Sequence, residues 1–416
     1  MLEIDGARRR ALEPLVVAWL ARRGVGGVGR LEILEAEVLR PGRPGLLDVV
    51  ASVDGRTAHL VLGLHPPGAE VRTLRGVDDG VLGGFADEAG PAVAVDALFD
   101  ADLAPLVVVA IVGEPVAVAS IAADDDRATV LDAEDRLSLS VFPWPTEGPH
   151  PAVDMLVGLD EAGFNHLAAP LALWRRRGRD LGVAQELLTE AADGWAVART
   201  SLRDLYGAGG SPEEAGGDFA DEARALGTMA ARLHLASERA FGRRSASVAD
   251  WASEVEARVK DQAPALARSE PFRQSLASLR ERTERAAAVR THGDLHLGRT
   301  ARSNQGWVVA DWLPGGADSA GEPRYCCPLS DVGDMLWSLR HVAGVALEER
   351  DQALRPGLEG AARAWVDRNR RAFLAGYLAT PGISELVPTD GELVEQLLVA
   401  FELGEAAAKV GAGLAR

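Results

Sequence analysis

Short apolar runs separated by Gly- and Pro-rich breaks fill the first 95 residues. The pattern predicts an amphipathic helix over the opening "GARRRALEPLVVAWLARRG", then strands in "RLEILEAEVLR", "GLLDVVASVDG" and "TAHLVLGLH". This small sheet-based module ends in the Gly/Asp-rich "GVDDGVLGGFADEAG". A second β-rich unit follows, with strands predicted in "APLVVVAIVGEP", "VAVASIAAD", "RATVLDAED" and "RLSLSVFPW". A helix is expected in "PHPAVDMLVGLDEAG" and two more strands in "LALWRRRG" and "VAQELLTEA".

From about residue 190 the apolar positions recur at three- and four-residue spacing instead. Helices are predicted in "DFADEARALGTMAARLHLASERAFG", with Asp218 as N-cap, and in "SVADWASEVEARVKDQAPALA". "EGAARAWVDRNRRAFLAGYLA" and "DGELVEQLLVAFELGEAAAKVGAGLA" read the same way, and one strand, "QGWVVADW", lies among them. Strands first and helices later predict an α+β chain with segregated lobes, divided at residues 1–95, 96–188 and 189–416. No internal repeat is visible.

Length and charge narrow the class. A chain of 416 residues is too long for one ordinary core. A formal charge of −18 argues against nucleic acid as a general partner. Arg175-Arg176-Arg177 in "WRRRGRD" is expected to be a solvated turn. The opening apolar run is broken by Glu13 and Pro14 and is too short to span a bilayer, so no membrane association is expected. Cys326 and Cys327 are adjacent and suggest no oxidising compartment, which makes a cytoplasmic location the expectation. Lys260 and Lys409 are the only lysines, and arginine does not simply replace lysine at a tight phosphate site.

The densest chemistry lies in Thr291-His292-Gly293-Asp294-Leu295-His296. Three readings compete. A zinc site would need a third histidine or cysteine nearby, which the segment lacks. A structural loop needs nothing further. Phosphoryl transfer needs a base aspartate in a loop, an amide five residues on, and a second aspartate beyond a short strand to hold Mg²⁺. Asp294 fills the first place, Arg299 stands at the second, and Asp311 follows the strand Trp307–Ala310.

With "HGDLHLG", "GWVVADW" and "CPLSDVGDMLWSLRHVA" in this order, the chain resembles the aminoglycoside-phosphotransferase-like kinases, in their bacterial glucosamine kinase and maltokinase branch. "AQELLTEAADGW" is similar to the interlobe hinge of that branch, and "LVAFELGEAAAKV" to a late helix. The resemblance implies a bilobal protein-kinase-like fold with an N-terminal β-rich cap module. It implies ATP and Mg²⁺ as cofactors and a small-molecule sugar as substrate; it says nothing of protein partners. On this resemblance Asp294 is the catalytic base and Asp311 the metal ligand. Asp154, Glu186, Leu187 and Arg299 are expected on the nucleotide, and His292, His296, Asp331 and Glu405 on the substrate. Independently, Asp331 suits a helix N-terminus electrostatically.

Four departures qualify that pattern. Ser140 stands where the phosphate-pairing lysine is expected, and Arg299 replaces the metal-binding amide. The hairpin "SIAADDDRATV" puts Asp124, Asp125 and Asp126 where phosphates would be cradled, and Asp311-Trp312-Leu313-Pro314-Gly315 replaces the branch's "FEGEP". These changes leave open an inactive, binding-only descendant beside an active kinase. Glu402 and Glu405 favour an amino sugar, whose ammonium a carboxylate wall rewards; they also fit two solvated helix carboxylates. Glucosamine, phosphorylated on its 6-hydroxyl, is therefore the first expectation, maltose the second and a true aminoglycoside the third.

Overall fold

The computed structural model describes residues 6–74, 80–87, 89–134, 136–215, 217–312 and 324–411. These fall into two compact units. The first holds the described residues of Met1–Asp154 and Ala168–Thr189, the second those of Met155–Leu167, Glu190–Pro314 and Gly321–Arg416. Leu313, Pro314 and Gly315 of the segment replacing "FEGEP", and the chain end from residue 412, lie outside the described residues.

The first unit opens with α1 (Gly6–Arg22) and an antiparallel sheet of β1 (Leu31–Arg40), β2 (Gly45–Val53), β3 (Arg56–His65), β4 (Val81–Asp87) and β5 (Gly90–Asp96), in the order β1-β2-β3-β5-β4. Leu47, Val49 and Ala51 of β2, with Leu60 and Leu62 of β3, pack with Leu12, Leu15, Val16 and Trp19 of α1. Their alternate neighbours Leu46, Val50 and Val61 enter a second core with residues of the following sheet. Both faces of β2 and β3 are thus covered, which is why these strands read as nearly continuous apolar runs. β4 sits inside the Gly/Asp-rich stretch and is held in the sheet by pairing with β5, which in turn pairs with β3.

The following elements are α2 (Ala104–Val112), β6 (Val118–Asp124), β7 (Thr129–Ala133), β8 (Leu137–Val141), α3 (Pro151–Glu161), β9 (Pro170–Arg176) and β10 (Arg179–Glu186). The second sheet is ordered β6-β7-β8-β10-β9. One expected strand is a helix: "APLVVVAI" forms α2. Pro105 stands in its first turn and Gly113 closes it at φ +85°, its N–H donating to Val109 O. A continuous apolar run does not separate a buried strand from a buried helix, and Val107 and Val108 are fully buried in the shared core.

The "WRRRGRD" turn is also less solvated than expected. Arg177 and Gly178 make the tip at φ 45° and 82°. Arg176 instead pairs with the fully buried Asp48 and with Glu37 at 3.0 Å, and Arg175 reaches Asp180 at 2.6 Å.

The second unit carries β11 (Ala192–Asp193), α4 (Gly194–Ala208), α5 (Ala220–Phe241), β12 (Arg244–Ser247), α6 (Val248–Gln262), α7 (Pro264–Ala267), α8 (Glu270–Arg280) and β13 (Arg285–Arg290). It continues with β14 (Thr300–Ser303), β15 (Gly306–Val309), β16 (Tyr325–Cys326), α9 (Leu329–Glu348), α10 (Arg355–Leu378) and α11 (Gly391–Gly411). Asp218 lies just ahead of α5 and accepts the Ala220 N–H at 3.1 Å, close to its expected capping role. Two short three-stranded sheets, β11-β14-β15 and β12-β13-β16, bracket the histidine-rich loop.

Close helix crossings hold this unit together. A Cβ on Gly227 would lie 2.0 Å from Phe373 O, and one on Gly376 would lie 2.0 Å from Arg224 O, so α5 and α10 meet backbone to backbone. Where α9 meets α11, a Cβ on Gly333 would lie 2.7 Å from Phe401 Cβ. That second crossing brings the end of α11 to the loop.

Candidate active site

β13 leads into Thr291–His296, where Gly293 adopts φ +80°, a left-handed conformation that favours glycine. The loop backbone hangs on Asp331, fully buried in the first turn of α9. Its Oδ2 accepts the His292 N–H and its Oδ1 the Gly293 N–H, each at 2.8 Å. His234 Nε2 donates to Oδ2 at 3.1 Å, and His234 Nδ1 pairs with the Tyr377 hydroxyl at 2.8 Å. Burial alone pushes the Asp331 carboxyl up, but the His234 hydrogen bond and the Gly293 amide outweigh it and hold it below its ordinary value. Expected on the substrate, Asp331 is placed beneath the loop with its oxygens committed to the protein.

Above that support, Asp294 meets two cations. Lys409 Nζ lies 2.8 Å from Oδ1, while Arg299 Nη2 and Nε reach Oδ2 at 3.0 and 3.2 Å. The same guanidinium uses Nη1 to bind Asp311 Oδ2, so Arg299 stands between the two aspartates. Its position follows from the turn Leu297–Arg299, which His296 caps by accepting the Gly298 N–H at 3.1 Å. Burial raises the Asp294 carboxyl, yet His296 and Lys409 outweigh it and hold it far below the usual carboxylate range. Asp294 is therefore ionised throughout the neutral range.

Glu402 and Glu405 are buried, not solvated. Glu402 pairs with Arg340 at 3.1 Å and with Arg370, which commits it to structure. Glu405, 5% exposed, faces Lys409 at 3.0 Å. Beside it lies Asp334, whose carboxyl is pushed well above its ordinary value by burial and by the neighbouring charges of Glu405, Asp331 and Asp294.

Lys409 and Asp334 are the site residues that sequence reasoning missed. Their signals were present: Lys409 is one of two lysines and lies four residues after Glu405, and Asp334 follows Asp331 by three on the same helix.

His292 is a bracket within the loop. Nε2 donates to Asp311 O at 2.8 Å and Nδ1 accepts the Asp294 N–H at 3.3 Å, a pair of bonds that only the neutral ring can make. Burial lowers its pKa to about 4, against the opposing charges of Asp331 and Asp294; Arg299 and His296 add to the lowering. The unfolded chain, with a histidine near 6.5, binds more protons between those values. Stability from this group is thus full above about pH 6.5 and is lost as pH falls through about 4. His292→Gln keeps a donor and an acceptor without a titration. Its melting temperature should fall less than that of the wild type between pH 6.5 and 4.5; parallel curves would refute the bracket.

Of the nucleotide-side expectations, Arg299 lies in the second unit, and Asp154, Glu186 and Leu187 lie in the first. Asp154 is in the first turn of α3; the nearby Arg175 guanidinium is raised above its ordinary pKa chiefly by its hydrogen bond to Asp180, with the charge of Asp154 adding to it. The Glu186 and Leu187 amides already donate to Ala169 O and Arg136 O, each at 2.9 Å, so these donors are committed within the unit. Ser140 is buried in β8. In the acidic hairpin, Asp124 accepts from Arg23 and Thr129, and Asp125 binds Arg127 and its own turn amides.

Among the described residues, no three His, Cys, Asp or Glu side chains group so as to hold a metal ion. A divalent ion bridging Asp294 and Asp311 does not fit, because the Arg299 guanidinium holds that place. Among the described residues, no helix is long and apolar enough to cross a membrane.

No family model matches the chain. Over 263 residues it is 30% identical to a glucosamine kinase of Mycolicibacterium smegmatis, a match covering 57% of this chain and 61% of that protein. The chain thus matches less than two thirds of that relative's length. A solved glucosamine kinase in complex with glucosamine, ADP and inorganic phosphate superposes with a TM-score of 0.68, at 19% identity, over 93% of this chain and 91% of that one. The chain has the glucosamine kinase fold. A second crystal form of glucosamine kinase superposes at 0.65, again at 19% identity over 93% of this chain and 89% of the other. In glucosamine kinase-fold terms, the helical unit carries the loop, both aspartates and the α11 carboxylate described above.

Proposed function

We propose that the chain is an ATP-dependent sugar kinase that transfers the γ-phosphoryl group to the 6-hydroxyl of glucosamine. The observation that carries this reading is Asp294, an ionised loop carboxylate held by Asp331 from below and flanked by two cations and the buried Glu405. The relative and the solved structure named glucosamine kinase support the substrate, and the bound ADP of the latter supports the nucleotide.

In this reading the acceptor O–H donates to Asp294 and its oxygen forms the new bond to the γ-phosphorus. The bond from that phosphorus to the β–γ bridging oxygen breaks, and ADP leaves. Because the Asp294 pKa is so low, the carboxylate orients the hydroxyl first and takes its proton only as the new P–O bond acidifies it. Arg299 supplies fixed positive charge for the phosphoryl oxygens. Mg²⁺ enters as the counter-ion that ATP carries on its own phosphates.

Substrate choice is assigned to the corner of Glu405, Asp334 and Lys409. Lys409 shows that an alkylammonium is accepted between Glu405 and Asp294. An amino sugar presents the same group, and the flexible lysine stem can yield its place. His292 and His296 shape the loop around this corner, and Asp311 with Arg299 forms its opposite side.

ADP release measured with glucosamine, glucose, maltose and kanamycin tests the reading. Glucosamine should give the highest kcat/KM. Preferred turnover of maltose would move the assignment to a maltokinase. No turnover with any acceptor, together with no thermal shift on adding ATP, would leave a binding module without catalysis.

A further inference from the structure

The place where a kinase of this kind would hold a divalent ion, between the second aspartate and the amide five residues after the base, is already taken by a side chain. Arg299 spends Nε and Nη2 on Asp294 and Nη1 on Asp311, and it is itself only 13% exposed. The backbone keeps it there: the Arg299 N–H donates to His296 O and its carbonyl accepts the Ala310 N–H, each at 2.8 Å. His292 ties the Asp311 backbone to the same loop. The two carboxylates and the guanidinium are thus delivered by one short segment, and their spacing does not depend on an added ion.

We infer that Arg299 is the resident cation of this site, taking the place of a divalent ion on Asp311. A guanidinium suits the task because its planar fork serves two carboxylates at once and stays charged at every working pH. Once the guanidinium is removed, Asp311 is left without its counter-charge and becomes a hard oxygen donor for a divalent cation, while Lys409 stays on the other side of Asp294. The inference rests on the kinase reading only for what Arg299 meets next, the phosphate oxygens of the nucleotide; the exclusion of the metal stands apart from it.

Mn²⁺ binding to the nucleotide-free chain, followed by the loss of the free-ion EPR signal, tests this directly. Wild type should bind no Mn²⁺ that Asp311→Asn removes. Arg299→Gln should gain one Mn²⁺ per chain, and the added Asp311→Asn change should abolish it. Arg299→Ala serves as a second variant, with circular dichroism checking that each is folded. Asp311-dependent Mn²⁺ binding by wild type equal to that of Arg299→Gln would overturn the inference. So would folded Arg299→Gln and Arg299→Ala chains that both gain none. Failure of the sugar-kinase reading would appear instead as absent ADP release, a separate measurement.

Discussion

Asp294→Asn is expected to lower kcat for glucosamine by about 10²–10⁴-fold with little change in KM, the range for removing a positioned general base. The amide keeps the size of the side chain and one oxygen for orienting a hydroxyl, but it has no charge and cannot take the proton. Folding should survive. Without the carboxylate, Arg299 still has Asp311 and Lys409 still has Glu405, so the loss of stability should stay at about 1.5–3 kcal/mol. The pH profile gives an independent check. The folded pKa of Asp294 is depressed, so its contribution to stability is present above the unfolded value, near 3.9, and is lost only as pH falls below it through the folded value. Protonation of Asp294 should therefore give no acidic limb to kcat between pH 5 and 9. Activity of the variant within tenfold of wild type would remove Asp294 from the role of base.

Asp331→Ala should carry the largest stability cost in the helical unit, about 3–5 kcal/mol, because it strands the fully buried His234 and two part-buried loop amides at once. The His292 and Gly293 amides and His234 Nε2 all point at this carboxylate, and no water reaches a residue of zero exposure. A urea titration should show a lower midpoint with an unchanged slope. Hydrogen exchange should quicken at the His292 and Gly293 amides before it does elsewhere. Asp331 is a positioning residue, so activity measured well below the unfolding transition should fall through kcat, as the loop carrying Asp294 loses its register. A loss under 1 kcal/mol with unchanged exchange at those amides would show that the loop is held by something else.

Much of this was legible along the chain. Short apolar runs bounded by turn residues located β1 to β3 and β6 to β10, and the three-to-four spacing located α5, α6, α10 and α11, because each helix buries one face. The elements misread were those whose identity depends on a neighbour. The α2 run is apolar at every position and carries no period, while β4 is a glycine-containing strand held by pairing with β5, which itself pairs with β3. In the site, the spacing of Asp294, Arg299 and Asp311 marked the loop and the strand that follows it. It did not show that Arg299 joins both carboxylates, since that depends on the turn at Leu297–Arg299 folding the chain back.

Taken by itself, then, the sequence determined the α+β order of elements, the loop that bears Asp294 and the oddity of an arginine five residues later. These are local matters, written in periodicity and short spacing. The tertiary structure alone decided that Asp331 lies under the loop, that Glu402 is committed to arginines, and that Lys409, paired with Glu405, meets Asp294 from 115 residues away in sequence. Burial and charge balance set those roles. Both depend on which helices cross, here α9 against α11 at Gly333, and no local pattern records that.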